Sequence, residues 1–325
     1  MDDLISILMP AKNAGKFLTE SIESIIRQSE KKWELIIVND HSTDNSSSVI
    51  EKYVKEDSRI KSFMNRGNGI ISALRTAYQH STGNLIHRMD ADDIMADNKL
   101  FELKRELLRS GKGHVITSMV KYFSENKVSE GYKGYEEWLN NLCQKDEHWE
   151  HIYEECVIAS PNWMIFREDI DQAGAFDFNL YPEDYDLIFR FYENDLSVKS
   201  IPKILHYWRE HPDRTSRTSD LYQQKAFFEL KTFHWLRLEH KSDHIVIFGG
   251  GIKGKIMSEI LQSNNIEHNW LKEKPEKIDN NFLKTLEQEN TKIIITVGNP
   301  IEKKKIHRLM EHLKLRLNRD YYFFR

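Results

Sequence analysis

Residues 33–44 read Trp33-Glu34-Leu35-Ile36-Ile37-Val38-Asn39-Asp40-His41-Ser42-Thr43-Asp44, an apolar run that stops on a polar turn cluster. A helical repeat follows, built on Val49, Ile50, Tyr53 and Val54. The same grammar precedes it: Leu4 to Met9 reads as a buried strand ended by Pro10, the loop runs from Pro10 to Gly15, and Ile22, Ile25 and Ile26 then recur at helical spacing. It returns downstream, where a turn at Asn65 to Gly69 leads to a helix over Ile70 to His80. A strand over Asn84 to Met89 then runs into Asp90-Ala91-Asp92-Asp93. Uninterrupted apolar strands alternating with helices predict an α/β fold, a mostly parallel sheet flanked by helices. Ligands of such sheets gather beyond the carboxyl ends of the strands. All three polar clusters sit there.

Farther along, residues 124–136 are polar, contain Gly131 and Gly134, and read as an exposed loop or lid. A helical stretch to Tyr153, a strand over Ala159 to Phe166 and a helix over Tyr185 to Tyr192, entered from Glu183-Asp184, come next. Leu221 to Leu238 has a wide apolar face. Strand and helix then alternate again from His244. The expected organisation is a larger α/β domain over 1–218, a linker helix over 219–242 and a small Rossmann-like α/β domain over 243–325. The last carries Gly249-Gly250-Gly251-Ile252-Lys253-Gly254, a G-x-G-x-x-G between strand and helix. A dinucleotide site also wants an acid after the next strand; Lys272 arrives first and Glu273 is the nearby replacement. A P-loop reading meets Ile256 where Ser or Thr is required.

Composition sets outer bounds. The 325 residues carry 47 Lys and Arg against 51 Asp and Glu, a net charge of −4, which excludes wholesale nucleic-acid binding by phosphate neutralisation. With 39% hydrophobic residues the chain has apolar surface enough to fold. Two cysteines, Cys143 and Cys156, build no disulfide framework and suit a reducing compartment. The acidic start, Met1-Asp2-Asp3, lacks the positive charge of a secretory signal, so the expected location is cytoplasmic.

Asp90 and Asp92 flank one alanine, so at a strand end their carboxylates converge on a hard cation, Mg²⁺ or Mn²⁺, that holds a diphosphate. Ile5 to Asn13, Glu34 to Asp44 and Met89 to Asp93 occur in this order, with Gly83-Asn84-Leu85-Ile86, Glu183-Asp184-Tyr185-Asp186-Leu187 and Tyr207-Trp208-Arg209-Glu210-His211 around them. Together they resemble the family 2 glycosyltransferases of the GT-A fold, over residues 4 to about 217. The resemblance implies an inverting transfer from a nucleotide sugar, with UDP the expected nucleotide. The acceptor it implies is a hydroxyl of a glycan or lipid-linked glycan in surface polysaccharide synthesis, met at the inner face of the cell membrane.

Carried over by position, the resemblance makes Asp40 the acid for base or ribose, and Pro10, Ala11, Lys12 and Asn13 the loop that cups the base. Lys12 departs from the aromatic residue often found there. Asp90 and Ala91 meet the nucleotide, Asp92 and Asp90 the metal. His211 approaches the diphosphate or metal, or else is a capped surface histidine before Pro212. Glu183-Asp184 supplies the general base, with Asp184 preferred. The residues themselves add Arg75, Arg190 and Arg209 as candidates for phosphate, and Trp138, Trp149, Tyr153 and Trp163 as sugar-ring platforms or core. His148 and His151 form a weak H-x-x-H pair. Lys303-Lys304-Lys305 and Tyr321-Tyr322-Phe323-Phe324-Arg325 suit either peripheral membrane contact or a charged helix and buried strand. Oligomerisation is expected, if anywhere, through the C-terminal domain.

Overall fold

A computed structural model of the chain describes residues 3–240, 244–272 and 290–325. It divides into two compact units, Met1–His148 with Val157–Thr218, and Trp149–Cys156 with Ser219–Arg325.

The larger unit runs β1 (Ile5–Ala11), α1 (Leu18–Ile26), β2 (Trp33–Asn39), α2 (Ser46–Glu56), β3 (Ile60–Met64), α3 (Ile70–His80), β4 (Leu85–Arg88), β5 (Ile94–Met95), α4 (Lys99–Ser110), β6 (His114–Phe123), α5 (Glu130–Lys145), β7 (Trp163–Phe166), α6 (Arg167–Gln172), α7 (Glu183–Glu193), β8 (Ser197–Arg209) and α8 (Thr215–Thr218). One sheet holds all eight strands in the order β3-β2-β1-β4-β7-β6-β8-β5. β1 to β4 are mutually parallel, and β7 lies antiparallel to both β4 and β6. The expected α/β architecture is present.

Two local readings need correction and one strand goes unread. Pro10 does not end β1, which continues to Ala11 opposite Asn39. The reason is alternation: Leu8 faces β4 and its carbonyl accepts the Met89 amide, so Pro10 faces the same side, where the pairing with β4 has already stopped. A missing N–H costs nothing there. Residues 130–136 are the first turns of α5, since a Cβ at Gly131 or Gly134 would meet nothing and the glycines cost only propensity. β8 escapes the sequence reading because Pro202 and Lys203 interrupt it, at the register shift where Ser118 pairs with Ile201 and Met119 with Ile204.

Glu34 ties the parallel strands together. Its Oε1 accepts from Ser6 Oγ (2.8 Å), Thr82 N (2.5 Å), Thr82 Oγ1 (2.9 Å) and Gly83 N (3.2 Å), and its Oε2 from Lys61 Nζ (2.9 Å). The turn into β4, which aims the acidic motif, is thus fixed to β1, β2 and β3.

The smaller unit comprises α9 (Gln224–Leu238), β9 (His244–Phe248), α10 (Ile252–Ser263), β10 (Asn269–Leu271), β11 (Thr291–Ile295), α11 (Pro300–His312) and β12 (Tyr321–Phe323), a parallel sheet in the order β10-β9-β11-β12. Its core gathers Val246, Phe248, Ile293, Ile295, Ile306, Met310, Tyr321 and Phe323. Backbone crowding accounts for glycines of the G-x-G-x-x-G run: a Cβ at Gly254 would lie 1.9 Å from the Gly249 carbonyl oxygen, and one at Gly250 2.7 Å from that of Lys272. Glu273 lies outside the described residues. Of the features that suit a bilayer, Lys303 Nζ pairs with Glu154 at 2.5 Å and Tyr321 to Phe324 are buried, while Lys304, Lys305 and Arg325 are exposed.

Although burial works against its charge, hydrogen bonds from Thr82, Lys61 and Ser6 push the Glu34 carboxyl down to about 2 from 4.5. A depressed folded-state value stabilises above the unfolded one and is lost as the pH falls through the folded one. Glu34→Gln is therefore expected to cost about 2–3 kcal/mol at pH 7. In urea denaturation the gap to the natural protein narrows as the pH drops from 4.5 toward 2.

Candidate active site

Asp40 directly follows β2 and is buried, with its carboxylate held by three partners. Asn65 Nδ2 donates to Oδ1 at 2.6 Å, the Gly69 amide to both oxygens at 3.1 Å, and Lys12 Nζ to Oδ2 at 3.1 Å. Gly69 takes φ +84°, and a Cβ there would lie 3.3 Å from Tyr181 Oη, so glycine alone brings this amide to Asp40 without strain. The loop Pro10 to Asn13 is sewn to the loop after β2: the Asn13 amide donates to Ser42 Oγ at 3.0 Å and the Thr43 amide to Asn13 Oδ1 at 2.8 Å. Lys12 remains largely exposed at the edge.

Three carboxylates within four residues repel, and each is answered by different elements. Arg88, the last residue of β4, donates Nε to Asp90 Oδ1 at 2.9 Å. Asp92 Oδ2 meets His211 Nε2 at 2.9 Å, and its carbonyl accepts Arg209 Nε at 2.7 Å. Asp93 turns into the protein, accepting the Arg209 amide at 2.7 Å and pairing with His206 Nε2 at 3.0 Å. His206 Nδ1 in turn accepts from the fully buried Lys99 Nζ at 2.9 Å. Burial, the like charge of Asp92 and that of Asp90 hold Asp93 well above the carboxylate range, which makes it a structural acid. Burial and the Asp92 charge also raise Asp90 against the pull of Arg88. For Asp92, burial is outweighed by the His211 hydrogen bond and the Arg214 charge, and its carboxyl lies low.

Arg88 does more than balance Asp90. Its Nη1 donates to Glu183 Oε1 at 3.1 Å, so one guanidinium, 4% exposed, joins the end of β4 to the start of α7. Asp184, next in the chain, is half-buried on the first turn of α7, and its Oδ1 accepts its neighbour Tyr185's amide at 2.8 Å. Tyr181, two residues before Glu183, feels both acids: burial and then the Glu183 and Asp40 carboxylates raise its phenol. Hydrogen bonds thus join Glu183, Arg88 and Asp90 in one set and Asp92 and His211 in another.

Among the described residues, Glu210 Oε2, His211 Nδ1 and Arg214 Nη1 are buried without a hydrogen-bond partner, all directly after β8. Arg214 Nη1 stands 3.8 Å from Glu210 Oε2, and its guanidinium lies over Trp208 (5.2 Å), Tyr132 (5.8 Å) and Tyr122 (5.9 Å). Its positive charge acts on Asp90, Asp92 and Asp93. Asp92 and His211 stand side by side at 2.9 Å with a buried guanidinium at hand, donor types that suit a divalent ion carrying a diphosphate, although the ligand atoms of Asp90, Asp92 and His211 are not all within 4.8 Å of one another.

The model of the family described as "Glycosyl transferase family 2" matches residues 6–174, just over half of the chain. The chain belongs to this family. An uncharacterized glycosyltransferase of Haemophilus influenzae is 30% identical over 242 residues, 70% of this chain and 72% of the relative. The Escherichia coli protein WfgD, named a UDP-Glc:alpha-D-GlcNAc-diphosphoundecaprenol beta-1,3-glucosyltransferase, is 39% identical over 102 residues, 31% of this chain and 40% of that protein. In three dimensions the chain is similar to S. aureus TarS 1–349 in complex with UDP-GlcNAc, with a TM-score of 0.57 and 16% identity over 87% of this chain and 79% of that one.

Other candidates of this family 2 glycosyltransferase lie elsewhere. Arg75 spends its guanidinium on the Phe176 and Asp177 carbonyls and Asn179 Oδ1, each at 3.0 Å. Arg190 is buried on Asp186 and the Ala173 and Ala175 carbonyls. Arg209 lies beneath Asp92. Trp163 and Tyr153 are core residues, and Trp149 and Tyr153 belong to the smaller unit. The H-x-x-H histidines part company: His148 lies 3.8 Å from Cys143 Sγ, His151 pairs with Glu154 at 2.6 Å. Arg88 and Arg214 were missed, although a cation closing a buried strand just before three acids is a readable signal.

Lysine reaches only one carboxylate where the guanidinium fork reaches two. Arg88→Lys is expected to lower kcat/KM by about 100-fold. In a double-mutant cycle with Glu183→Gln the losses should fall well short of additive, because both break one interaction.

Proposed function

We propose that the chain moves a sugar, with inversion, from a nucleoside diphosphate donor of the UDP-sugar class to a hydroxyl of a glycan or lipid-linked glycan in surface polysaccharide synthesis. The observation that carries the reading is the Arg88 bridge, which holds the acids of the metal motif and of the base motif within the span of one guanidinium. The names of WfgD and of the TarS complex support a UDP-linked donor, and that of WfgD a lipid-diphosphate acceptor.

In this reading Asp40 receives the nucleoside, with Lys12 at the ribose or phosphate. Asp90, Asp92 and His211 would hold Mn²⁺ or Mg²⁺, which neutralises the departing diphosphate when bound. Asp184 takes the proton of the acceptor hydroxyl as its oxygen attacks the anomeric carbon, while the bond from that carbon to the phosphate oxygen breaks on the far side. Glu183, committed to Arg88, orients the turn that carries Asp184. Arg214 exchanges its loose contact with Glu210 for the phosphate oxygens. No described helix is long and apolar enough to cross a membrane, so contact with a lipid-linked acceptor would be made from the surface.

Asp184→Asn should lower kcat about 10³-fold, within the range for loss of a general base. Donor affinity by calorimetry with Mn²⁺ should change less than about threefold, because the residue acts on the acceptor side. Equal loss of binding and turnover would assign Asp184 to the donor instead. Arg214→Ala should weaken UDP about tenfold and uridine hardly at all.

A further inference from the structure

Gly69, whose amide holds Asp40, is the residue before α3, and one face of that helix grips the stretch of chain that leads to Asp184. Ile71, Arg75 and Tyr78 stand at i, i+4 and i+7, on one side of a helix. A backbone hydrogen bond from Ile71 reaches the Tyr181 phenol. Arg75 donates Nε to the Phe176 carbonyl and Nη2 to the Asp177 carbonyl and to Asn179 Oδ1, each at 3.0 Å. Tyr78 Oη donates to Asp171 Oδ1 at 2.6 Å, and its ring meets that of Phe176 edge-on at 5.7 Å.

Backbone pairing does not hold this stretch. The Asp177 amide donates to the Gly174 carbonyl, but among the described residues Phe178, Asn179 and Leu180 make no backbone–backbone hydrogen bond. Upstream, Arg190 of α7 takes the Ala173 and Ala175 carbonyls; downstream, Arg88 takes Glu183. Between those two anchors the Arg75 guanidinium fixes the chain, and Asn179 is five residues before Asp184. We propose that Arg75 is a positioning residue of the transfer: through these three bonds it sets where Asp184 stands relative to a donor anchored at Asp40, and it touches neither substrate. The inference rests on the reading of Asp184 as the general base. It moves Arg75 from the donor side to the acceptor side.

The test replaces Arg75 by Met in the full chain, which keeps an unbranched stem and removes the donors. Calorimetry with UDP and Mn²⁺ should give a Kd within about threefold of the natural protein's, because Arg75 does not meet the nucleotide. Turnover is read as UDP release with water in the place of the acceptor, from whichever of UDP-glucose, UDP-galactose and UDP-N-acetylglucosamine the natural protein cleaves fastest. Its kcat should fall about 30-fold at unchanged KM, the scale of a small misplacement of a reacting group. In the Asp184→Asn background the same change should cost nothing further, since no base is left to place. Hydrogen exchange gives a readout without turnover: the Tyr185 amide, which donates to Asp184 Oδ1 at 2.8 Å, should exchange faster in Arg75→Met while the amides of β1 and β2 do not change. If Arg75→Met does not fold, Asn179→Ala, which removes one acceptor at an exposed position, should show the same split at about threefold in kcat. Weakened UDP binding, losses that add in the double variant, or Tyr185 exchange at the natural rate overturns the inference alone. An Asp184→Asn variant that turns over at the natural rate overturns the base reading, and the inference with it.

Discussion

A buried guanidinium shared by two carboxylates is the constraint from which the rest of the larger unit follows. Charged groups taken out of water are costly unless paired in good geometry. Arg88 is paired twice, at 2.9 Å with Asp90 and at 3.1 Å with Glu183. Neither acid lies near the other in sequence. Fixing Arg88 at the end of β4 therefore fixes where α7 must start. The other acids of the motif impose similar demands: Asp92 needs His211, and Asp93 needs His206 with Lys99 behind it. Four elements are drawn to one strand end by charge balance.

The sheet makes those demands satisfiable. Parallel strands β1, β2 and β4 end at one edge, so the loops carrying Asp40 and Asp90 emerge together. Two-residue β5 pairs with Tyr207 and His206 of β8, and this pins the acidic turn at both ends. The segment after β8 is then delivered beside Asp92 with Glu210 Oε2, His211 Nδ1 and Arg214 Nη1 buried and without a hydrogen bond among the described residues.

Much of this was legible because strand ends advertise themselves. Apolar runs meeting Asn39-Asp40 and Asp90-Ala91-Asp92-Asp93 locate the loops without any knowledge of packing. What stayed hidden depends on partners far along the chain. Nothing local says that Arg88 turns to Glu183, that Arg75 turns to Asn179, or that Asp93 faces inward while Asp92 faces His211. β8 was hidden by a bulge whose cause lies in its pairing with β6. Glycine likewise misleads when read without context: Gly131 and Gly134 sit in a helix with open space around them, whereas Gly69 is needed where it stands.

The most direct measurement of the central claim is a crystal structure of the protein with a UDP-sugar, an unreactive acceptor analogue and Mn²⁺. The account predicts the uracil or ribose at Asp40, the diphosphate between Asp92 and Arg214, and the anomeric carbon facing Asp184, with Arg88 still bonded to both Asp90 and Glu183. A sugar diphosphate bound with its anomeric carbon turned away from Asp184, or an Arg88 released from Glu183 to contact the donor, would contradict it.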